Sequence, residues 1–145
     1  MVRIVVGVDG SDSSKEALRW ALGEARLRGA SLRVVFSWKI PLYLIDGLAP
    51  VEATPDPTAL SKAAQQRLDS IVYEVTGGST DVPVEQRVIE GTAAETLVEE
   101  SEGADLLVVG SRGHGGFAGL LLGSVSLQCA THASCPVVII REAAA

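Results

Sequence analysis

Two short runs of aliphatic residues constrain the fold of this chain more than any other feature. Ile4–Val8 is interrupted only by Gly7, and Leu106–Val109 repeats the pattern late in the chain. A strand that is apolar on both of its faces must be covered on both faces, which is typical of the central strands of a parallel sheet. Because right-handed crossovers govern such sheets, we expect these two runs to be neighbours at the centre of one.

Segments with the character of strands alternate along the chain with segments of helical period. Strands are predicted at Arg3–Asp9, Ser31–Trp38, Val82–Ile89, Asp105–Gly110 and Pro136–Arg141. Helices are predicted to start at Ser13 with Glu16, at Thr58, at Thr92 with Glu95, and at Ser124, where capping residues precede apolar periodicity. This order predicts an α/β fold, an open five-stranded parallel sheet with helices on both faces. The length of 145 residues is that of a single domain, which we place over residues 1–145.

The segment Lys39–Pro57 separates the second predicted strand from the second predicted helix. It holds four of the six prolines of the chain and shows no periodicity. Long loops inside compact domains are either functional or mobile. Two interpretations stay open, a lid over whatever the strand ends bind and a disordered connector.

Charge and hydropathy exclude several classes of function. The net charge of −6 and the pI of about 4.8 oppose attraction to phosphate backbones, so no nucleic-acid partner is expected. No apolar run approaches the roughly 20 residues that cross a bilayer. Met1–Val8 lacks the basic and apolar segments of a signal peptide, and Cys129 and Cys135 fit a reducing compartment. We therefore expect a cytoplasmic protein with no membrane contact.

The ends of the two central strands carry the residues that indicate chemistry. The first strand ends in Asp9, and the fourth is followed by a loop with six glycines between Gly110 and Gly123. Glycines let backbone N–H groups approach an anion closely, and the helix that starts at Ser124 adds its unpaired N–H groups and dipole. The hydroxyls of Ser124 and Ser126 would add donors. The sequence has no P-loop and no Gly-x-Gly-x-x-Gly after its first strand.

The glycine spacing is Gly110-x2-Gly113-x9-Gly123-Ser124. With this motif, with the opening Ile4–Ser11 and with the closing Ser134–Ile140, the sequence resembles the nucleotide-binding branch of the universal stress protein family. The resemblance covers nearly the whole chain. It implies a five-stranded parallel α/β fold, a homodimer formed through the last strand, and bound ATP.

The same resemblance implies a role for each matching position. Gly7, Val8 and Asp9 would line the adenosine, with the Asp9 carboxylate near the ribose or a phosphate-bound Mg²⁺. Ser37 would offer backbone groups to the adenine edge. Val109, Gly110, Arg112 and Gly113 would wrap the ribose and phosphates. Gly123, Ser124, Val125 and Ser126 would hold the phosphate tail.

Each of these residues also has a structural interpretation. Asp9 would cap the following helix, the glycines would form tight turns, and Arg112 would be a solvated surface charge. His114 has a pKa range suited to proton transfer but sits on a predicted exposed loop. Cys129, His132 and Cys135 are closely spaced, yet a zinc site needs a fuller ligand set than they provide. We assign no catalytic or metal-binding residue.

The sequence shows neither a Gly-x-Ser-x-Gly nucleophile elbow nor an oriented His–Asp pair, which disfavours fast catalysis. The sequence therefore predicts a cytoplasmic, homodimeric, ATP-binding stress-response protein in which the nucleotide is a sensed or structural ligand. Hydrolysis would at most be slow, and ATP with Mg²⁺ would favour one conformation of Lys39–Pro57 or of the dimer. Two alternatives stay open, an enzyme that uses the nucleotide for kinase-like or adenylate transfer and a nucleotide-free dimeric interaction module.

Overall fold

The computed structural model describes residues 2–39, 56–112 and 122–141, and five strands and four helices alternate along these ranges. The strands are β1 (Arg3–Gly7), β2 (Ser31–Trp38), β3 (Val84–Glu90), β4 (Leu106–Gly110) and β5 (Val137–Ile140). The helices are α1 (Asp12–Arg28), α2 (Pro57–Thr76), α3 (Ala93–Glu100) and α4 (Ser124–His132). The predicted α/β fold class is confirmed. Most of Lys39–Pro57, together with Gly113 and His114, lies outside the described residues.

All five strands are parallel, in the order β3-β2-β1-β4-β5. The two aliphatic runs are direct neighbours, because Ile4 pairs with Leu106 and Val6 pairs with Val108. The predicted adjacency is confirmed. The strand order reverses between β1 and β4, and in open parallel sheets such a reversal leaves a crevice beyond the carboxyl ends of the strands.

Each face of the sheet has its own core. On one face, Ile4 and Val6 pack with residues of α1 and α2 such as Leu18 and Leu68. The opposite face is covered by α3 and α4, which contribute Leu97 and Cys129 to the second core. These two side chains pack on four residues of the sheet: Val5, Val35, Leu107 and Val109. Alternate side chains of a strand point to opposite faces, which explains why the central strands are apolar throughout.

Two helices start earlier than the sequence predicts. The N-cap of α1 is Ser11, whose side chain accepts a hydrogen bond from the Ser14 N–H, so the predicted start at Ser13 was wrong by two residues. The N-cap of α2 is Asp56, whose carboxylate accepts from the Thr58 N–H at 3.1 Å. Both stretches hold several residues of capping type, and sequence spacing did not distinguish among them. The start of α3 at the N-cap Thr92 is confirmed, without a side-chain capping hydrogen bond.

Strand boundaries differ from the prediction for local reasons. β1 ends at Gly7 because Asp9 turns back toward Ser11 at the start of α1. β3 begins at Val84 because Pro83 has no N–H to donate to a neighbouring strand, although its carbonyl accepts from the Leu32 N–H at 2.9 Å. Within the described ranges, no helix has both the length and the apolar character that crossing a bilayer requires.

Candidate functional site

The carboxyl ends of β1, β2 and β4 open into a cleft with an empty volume of about 490 Å³. The structure brings nine of the twelve predicted site residues to its lining: Gly7, Val8, Asp9, Ser37, Val109, Gly110, Arg112, Val125 and Ser126. Gly123 and Ser124 directly precede Val125 at the start of α4, and Gly113 lies outside the described residues. Four residues that were not predicted also line the cleft: Ser14, Val35, Ala93 and Leu97.

Gly7, the last residue of β1, leaves room for Leu97 of α3. A Cβ atom built on Gly7 would lie 2.5 Å from Leu97 Cδ1 and 2.9 Å from Leu97 Cδ2, closer than real Cβ atoms approach other atoms. Leu97 therefore packs directly against β1. With Val35 and Ala93 it forms an apolar wall of the cleft, a surface that suits the flat face of a heteroaromatic ring.

Gly110, the last residue of β4, touches the backbone of α1. A Cβ atom built there would lie 2.7 Å from the carbonyl carbon and 2.9 Å from the carbonyl oxygen of Ser13. The Ser13 hydroxyl lies in the same contact, accepting from the Arg112 N–H at 3.3 Å and donating to the Ile140 carbonyl at 3.4 Å. This contact gives Gly110 a packing role that does not depend on any ligand.

Asp9 holds the turn between β1 and α1 while it lines the cleft. Its Oδ1 accepts hydrogen bonds from the Ser11 N–H at 2.9 Å and the Ser11 hydroxyl at 2.5 Å. The Asp9 N–H donates to Ser14 Oγ at 3.2 Å. The structural interpretation of Asp9 as the cap of α1 was wrong, because the N-cap is Ser11 and Asp9 instead orients Ser11.

Ser126 ties together the two ends of the glycine-rich loop. Its buried hydroxyl lies 3.1 Å from the Ser111 carbonyl oxygen and 3.0 Å from that of Gly123. The Gly123 N–H donates to the Ser111 carbonyl at 2.6 Å, and the Ser111 N–H donates to the Ile140 carbonyl at 2.8 Å. A hydroxyl has one hydrogen to donate, and in Ser126 it is directed at backbone carbonyls. The chain on either side of residues 113–121 is therefore held at the cleft.

The N-terminus of α4 gives this end of the cleft a local positive potential. Its N-cap is Gly123, and no side chain in the described ranges caps the helix by a hydrogen bond. Helix N-termini favour anions through their N–H groups and the helix dipole. The exposed Ser124 hydroxyl accepts from the Gln128 side chain at 3.0 Å and keeps its own hydrogen to donate. Together with Arg112 on the cleft lining, these groups form a suitable anion site.

An ion-pair network anchors α3, the helix that supplies the apolar wall. Arg33 Nη1 lies 2.9 Å from Glu100 Oε2, and the two side chains are only 17% and 12% exposed. Glu100 also pairs with Arg87 at 3.4 Å, and Arg33 pairs with Glu85 at 3.1 Å. Although burial opposes its charge, hydrogen bonds to Glu100 and Glu85 raise the pKa of Arg33. The network therefore stays charged and holds the C-terminal end of α3 on the sheet.

Cysteine and histidine do not assemble into a metal centre in the described ranges, where no group of three or more His, Cys, Asp or Glu side chains is placed to hold an ion. Cys129 is buried in the core under α4, and burial raises the pKa of its thiol to about 11. Burial also raises the pKa of Cys135, as does the nearby charge of Asp105. Neither thiol is activated as a thiolate ligand or nucleophile.

The four lining residues that were not predicted differ in how far the sequence indicates them. Val35 lies two residues before Ser37 and pairs with Gly7, so strand periodicity places it on the same face as Ser37. Ala93 and Leu97 are one helical turn apart, but only the packing of α3 over β1 brings them to the cleft. The position of Ser14 at the cleft depends on α1 being capped at Ser11, whereas the sequence predicts a start at Ser13.

Comparison with known protein families covers almost the entire chain. A family model described as the universal stress protein family matches residues 1–141. Universal stress protein Rv2623 of Mycobacterium tuberculosis (strain ATCC 25618 / H37Rv) is 36% identical over 150 residues, covering 96% of this chain and 47% of that protein. The chain spans about half the length of the curated relatives it matches.

Solved structures share the fold over similar spans. A universal stress protein in complex with cAMP has a TM-score of 0.69 and 30% identity, covering 96% of each chain. The universal stress protein from Archaeoglobus fulgidus in complex with dAMP has a TM-score of 0.62 and 25% identity, covering 97% of this chain and 98% of that one. Both of these proteins were thus solved with an adenine nucleotide.

Proposed function

The chain belongs to the universal stress protein family, and from that premise we propose that its cleft binds ATP as a sensed or structural ligand in a stress response. The observation that carries the proposal is the cleft itself. It joins the ends of three strands, an apolar wall and the start of α4 in one space. The cAMP and dAMP complexes of related proteins support an adenine nucleotide as the occupant.

The adenosine half of the ligand fits the apolar side of the cleft. The adenine ring would lie against the wall of Val35, Ala93 and Leu97, and the backbone of Ser37 would meet its polar edge. Gly7, Val8 and Asp9 would line the adenosine, with the Asp9 carboxylate turned toward the ribose. The Asp9 turn and Leu97 are both held by contacts within the chain, which would limit the ordering that binding costs.

The phosphate half fits the end of the cleft near α4. Val109, Gly110 and Arg112 would contact the ribose and the first phosphate, with Gly113 continuing the loop. Gly123, Ser124 and Val125 would offer the N–H groups of the first helical turn to the phosphate tail. Ser126 would contribute by holding the loop ends together.

Mg²⁺ would enter this site on the phosphates of ATP, since the described ranges contain no cluster of ligands for an ion of its own. Asp9 is the carboxylate on the cleft lining and is the residue that would approach such an ion. The same Asp9 oxygen accepts two hydrogen bonds from Ser11 and so already holds the turn before α1. We therefore assign a binding role to the nucleotide, with slow hydrolysis at most.

The two edges of the sheet differ in a way that favours a homodimer through β5. The edge strand β3 carries charged residues, Glu85, Arg87 and Glu90, which protect an edge from pairing. The other edge strand is Val137–Ile140, entirely apolar and half-buried. An unprotected apolar edge suits pairing with a second copy of itself, which would extend the sheet across a two-fold axis.

We place this domain over residues 1–145, in the cytoplasm, where its two unpaired cysteines would stay reduced. A domain of this length spans about half of the length of a curated relative, so the activities of those longer proteins are not assigned to this chain.

A titration series with ligands of increasing phosphate number tests the position of the phosphates. Nucleotide-free protein is titrated calorimetrically with adenosine, AMP and Mg-ATP, and the same is done with Ser124→Asp and with Ser124→Asn as the neutral control. An acidic residue at a helix start is favourable for folding, so the Asp variant should remain folded. It should weaken Mg-ATP binding by about tenfold, because charges a few ångströms apart near a surface interact by about 1 kcal/mol or more.

The expected pattern is an effect that grows with the number of phosphates and is absent for adenosine. Equal affinities of the Asp and Asn variants for Mg-ATP would place the phosphates elsewhere. No binding of any of these ligands by the parent protein would favour the nucleotide-free interaction module. Sustained multiple turnover of ATP that Asp9→Ala abolishes would favour the enzyme.

A further inference from the structure

A second depression lies between α3 and α4. Its empty volume is about 480 Å³, and it is lined by Ala94, Glu95, Val98, Glu99, Gln128 and His132. Ala94 and Val98 form a small apolar floor. The exposed side chains of Glu95 and Glu99 stand on one rim, and those of Gln128 and His132 stand on the other. We call this depression the α3–α4 groove.

The part of the chain that contains α3 and α4 carries most of the net charge. Residues 88–140 contain six acidic residues and one basic residue, Arg112, and Arg112 lines the cleft rather than the groove. The net charge of this stretch is therefore −5, out of −6 for the whole chain. Among the residues that line the α3–α4 groove, Glu95 and Glu99 are acidic and none is a lysine or arginine, which favours a cationic partner.

The two rim carboxylates differ from most other carboxylates on the helices. Glu16, Glu24, Glu74 and Glu100 all form ion pairs with an arginine or lysine. Within the described ranges, Glu95 and Glu99 form none. They are four residues apart on one helix, so their side chains are neighbours along its axis at a rise of about 6 Å.

We propose that the α3–α4 groove is the docking surface for a basic amphipathic helix of a partner protein. Small apolar side chains of that helix would rest on Ala94 and Val98. Lysines or arginines one turn apart on the helix would pair with Glu95 and Glu99. This is a helix-in-groove mode, in which apolar contacts give affinity and the charges select the partner and its orientation.

The groove shares its helices with the proposed nucleotide site. Ala93 and Leu97 of α3 face the cleft, whereas Ala94 and Val98 of the same helix face the groove. A partner in the groove would therefore contact the same helix that supplies the apolar wall of the cleft. Docking itself does not require the proposed function, and the test is made on nucleotide-free protein so that the two can fail separately.

The probe is a fluorescein-labelled helical peptide built only from Ala, Leu and Lys, with its Leu residues on one face. Its binding to the parent protein is measured by fluorescence anisotropy. The double variant E95Q/E99Q should bind it about three- to tenfold more weakly, the effect of losing two exposed ion pairs. The control variant D69N/E74Q removes the same charge from α2, on the other side of the sheet, and should bind within about twofold of the parent.

Three results would overturn the proposal. Equal weakening in both double variants would mean that the peptide follows net charge and not the groove. If a matched peptide with Glu in place of Lys bound equally well, charge would not select the partner. Loss of self-association in E95Q/E99Q, measured by sedimentation, would make the occupant a second copy of this chain.

Discussion

Replacing Gly110 by alanine should destabilise the protein even when no nucleotide is present. The added Cβ would lie 2.7 Å and 2.9 Å from backbone atoms of Ser13, so no side-chain rotation relieves the contact. Either β4 or the first turn of α1 must shift by several tenths of an ångström. The same change at Gly23, in the middle of α1, meets no atom within 4 Å and provides a matched control.

The size of both effects follows from the packing. Overfilling a tightly packed contact costs about 2 kcal/mol. A chain of 145 residues has an unfolding entropy of about 0.3 kcal/mol/K, so this cost lowers the melting temperature by about 7 °C. Gly23→Ala should instead raise it by about 2 to 3 °C, since alanine is favoured over glycine in a helix interior by up to about 1 kcal/mol.

Thermal unfolding followed by circular dichroism, on nucleotide-free protein, measures both variants under identical conditions. Urea unfolding gives the free energy of unfolding independently and shows whether the slope with denaturant is unchanged. If Gly110→Ala melts at the temperature of the parent protein, the backbone contact between β4 and α1 does not explain why residue 110 is a glycine. Its role would then lie entirely with a ligand.

Three further predictions concern the cleft and the core. Gly7→Ala should push Leu97 into the cleft and weaken AMP binding by about tenfold, or about 1.4 kcal/mol, as calorimetric titration would show; unchanged affinity would contradict the apolar wall. Asp9→Asn keeps an acceptor for Ser11 and should change the free energy of unfolding by less than about 0.5 kcal/mol. Asp9→Ala removes the acceptor and should cost about 1 kcal/mol in urea unfolding. Equal losses in the two variants would contradict the role of Asp9 in holding the turn. Cys129 has a pKa raised from 9.0 to about 11, so its contribution to stability is full below about pH 9 and is lost as the pH rises toward 11. The parent should therefore lose more stability over this range than Cys129→Ala does, and parallel urea curves would contradict the burial of the thiol.

The sequence was most informative where burial leaves a pattern. The runs Ile4–Val8 and Leu106–Val109 are apolar on both faces because helices cover both faces, and from this their central position and adjacency followed correctly. The helix starts were less accurate. Ser11 and Asp56 cap their helices through contacts that depend on the local path of the backbone, and neighbouring residues offered equally good capping chemistry.

Some residues of the cleft could be predicted from the sequence, and others could not. Positions at strand ends, such as Gly7 and Ser37, could be named because parallel strands bring their carboxyl ends to one edge of the sheet. Leu97 could not, since it reaches the cleft only through the packing of α3 over a glycine. The packing role of Gly110 was also hidden, because a glycine that touches a neighbouring helix and one that approaches a ligand look the same in a sequence.

Amide chemical-shift mapping tests the nucleotide site most directly. Protein labelled with ¹⁵N is freed of any co-purified nucleotide, which is itself identified by mass, and is then titrated with AMP. The largest shifts are expected at Gly7–Asp9, Ser37 and Val109–Arg112. Shifts confined to other surfaces such as the α3–α4 groove, or no shifts at saturating AMP, would contradict an adenine nucleotide in this cleft.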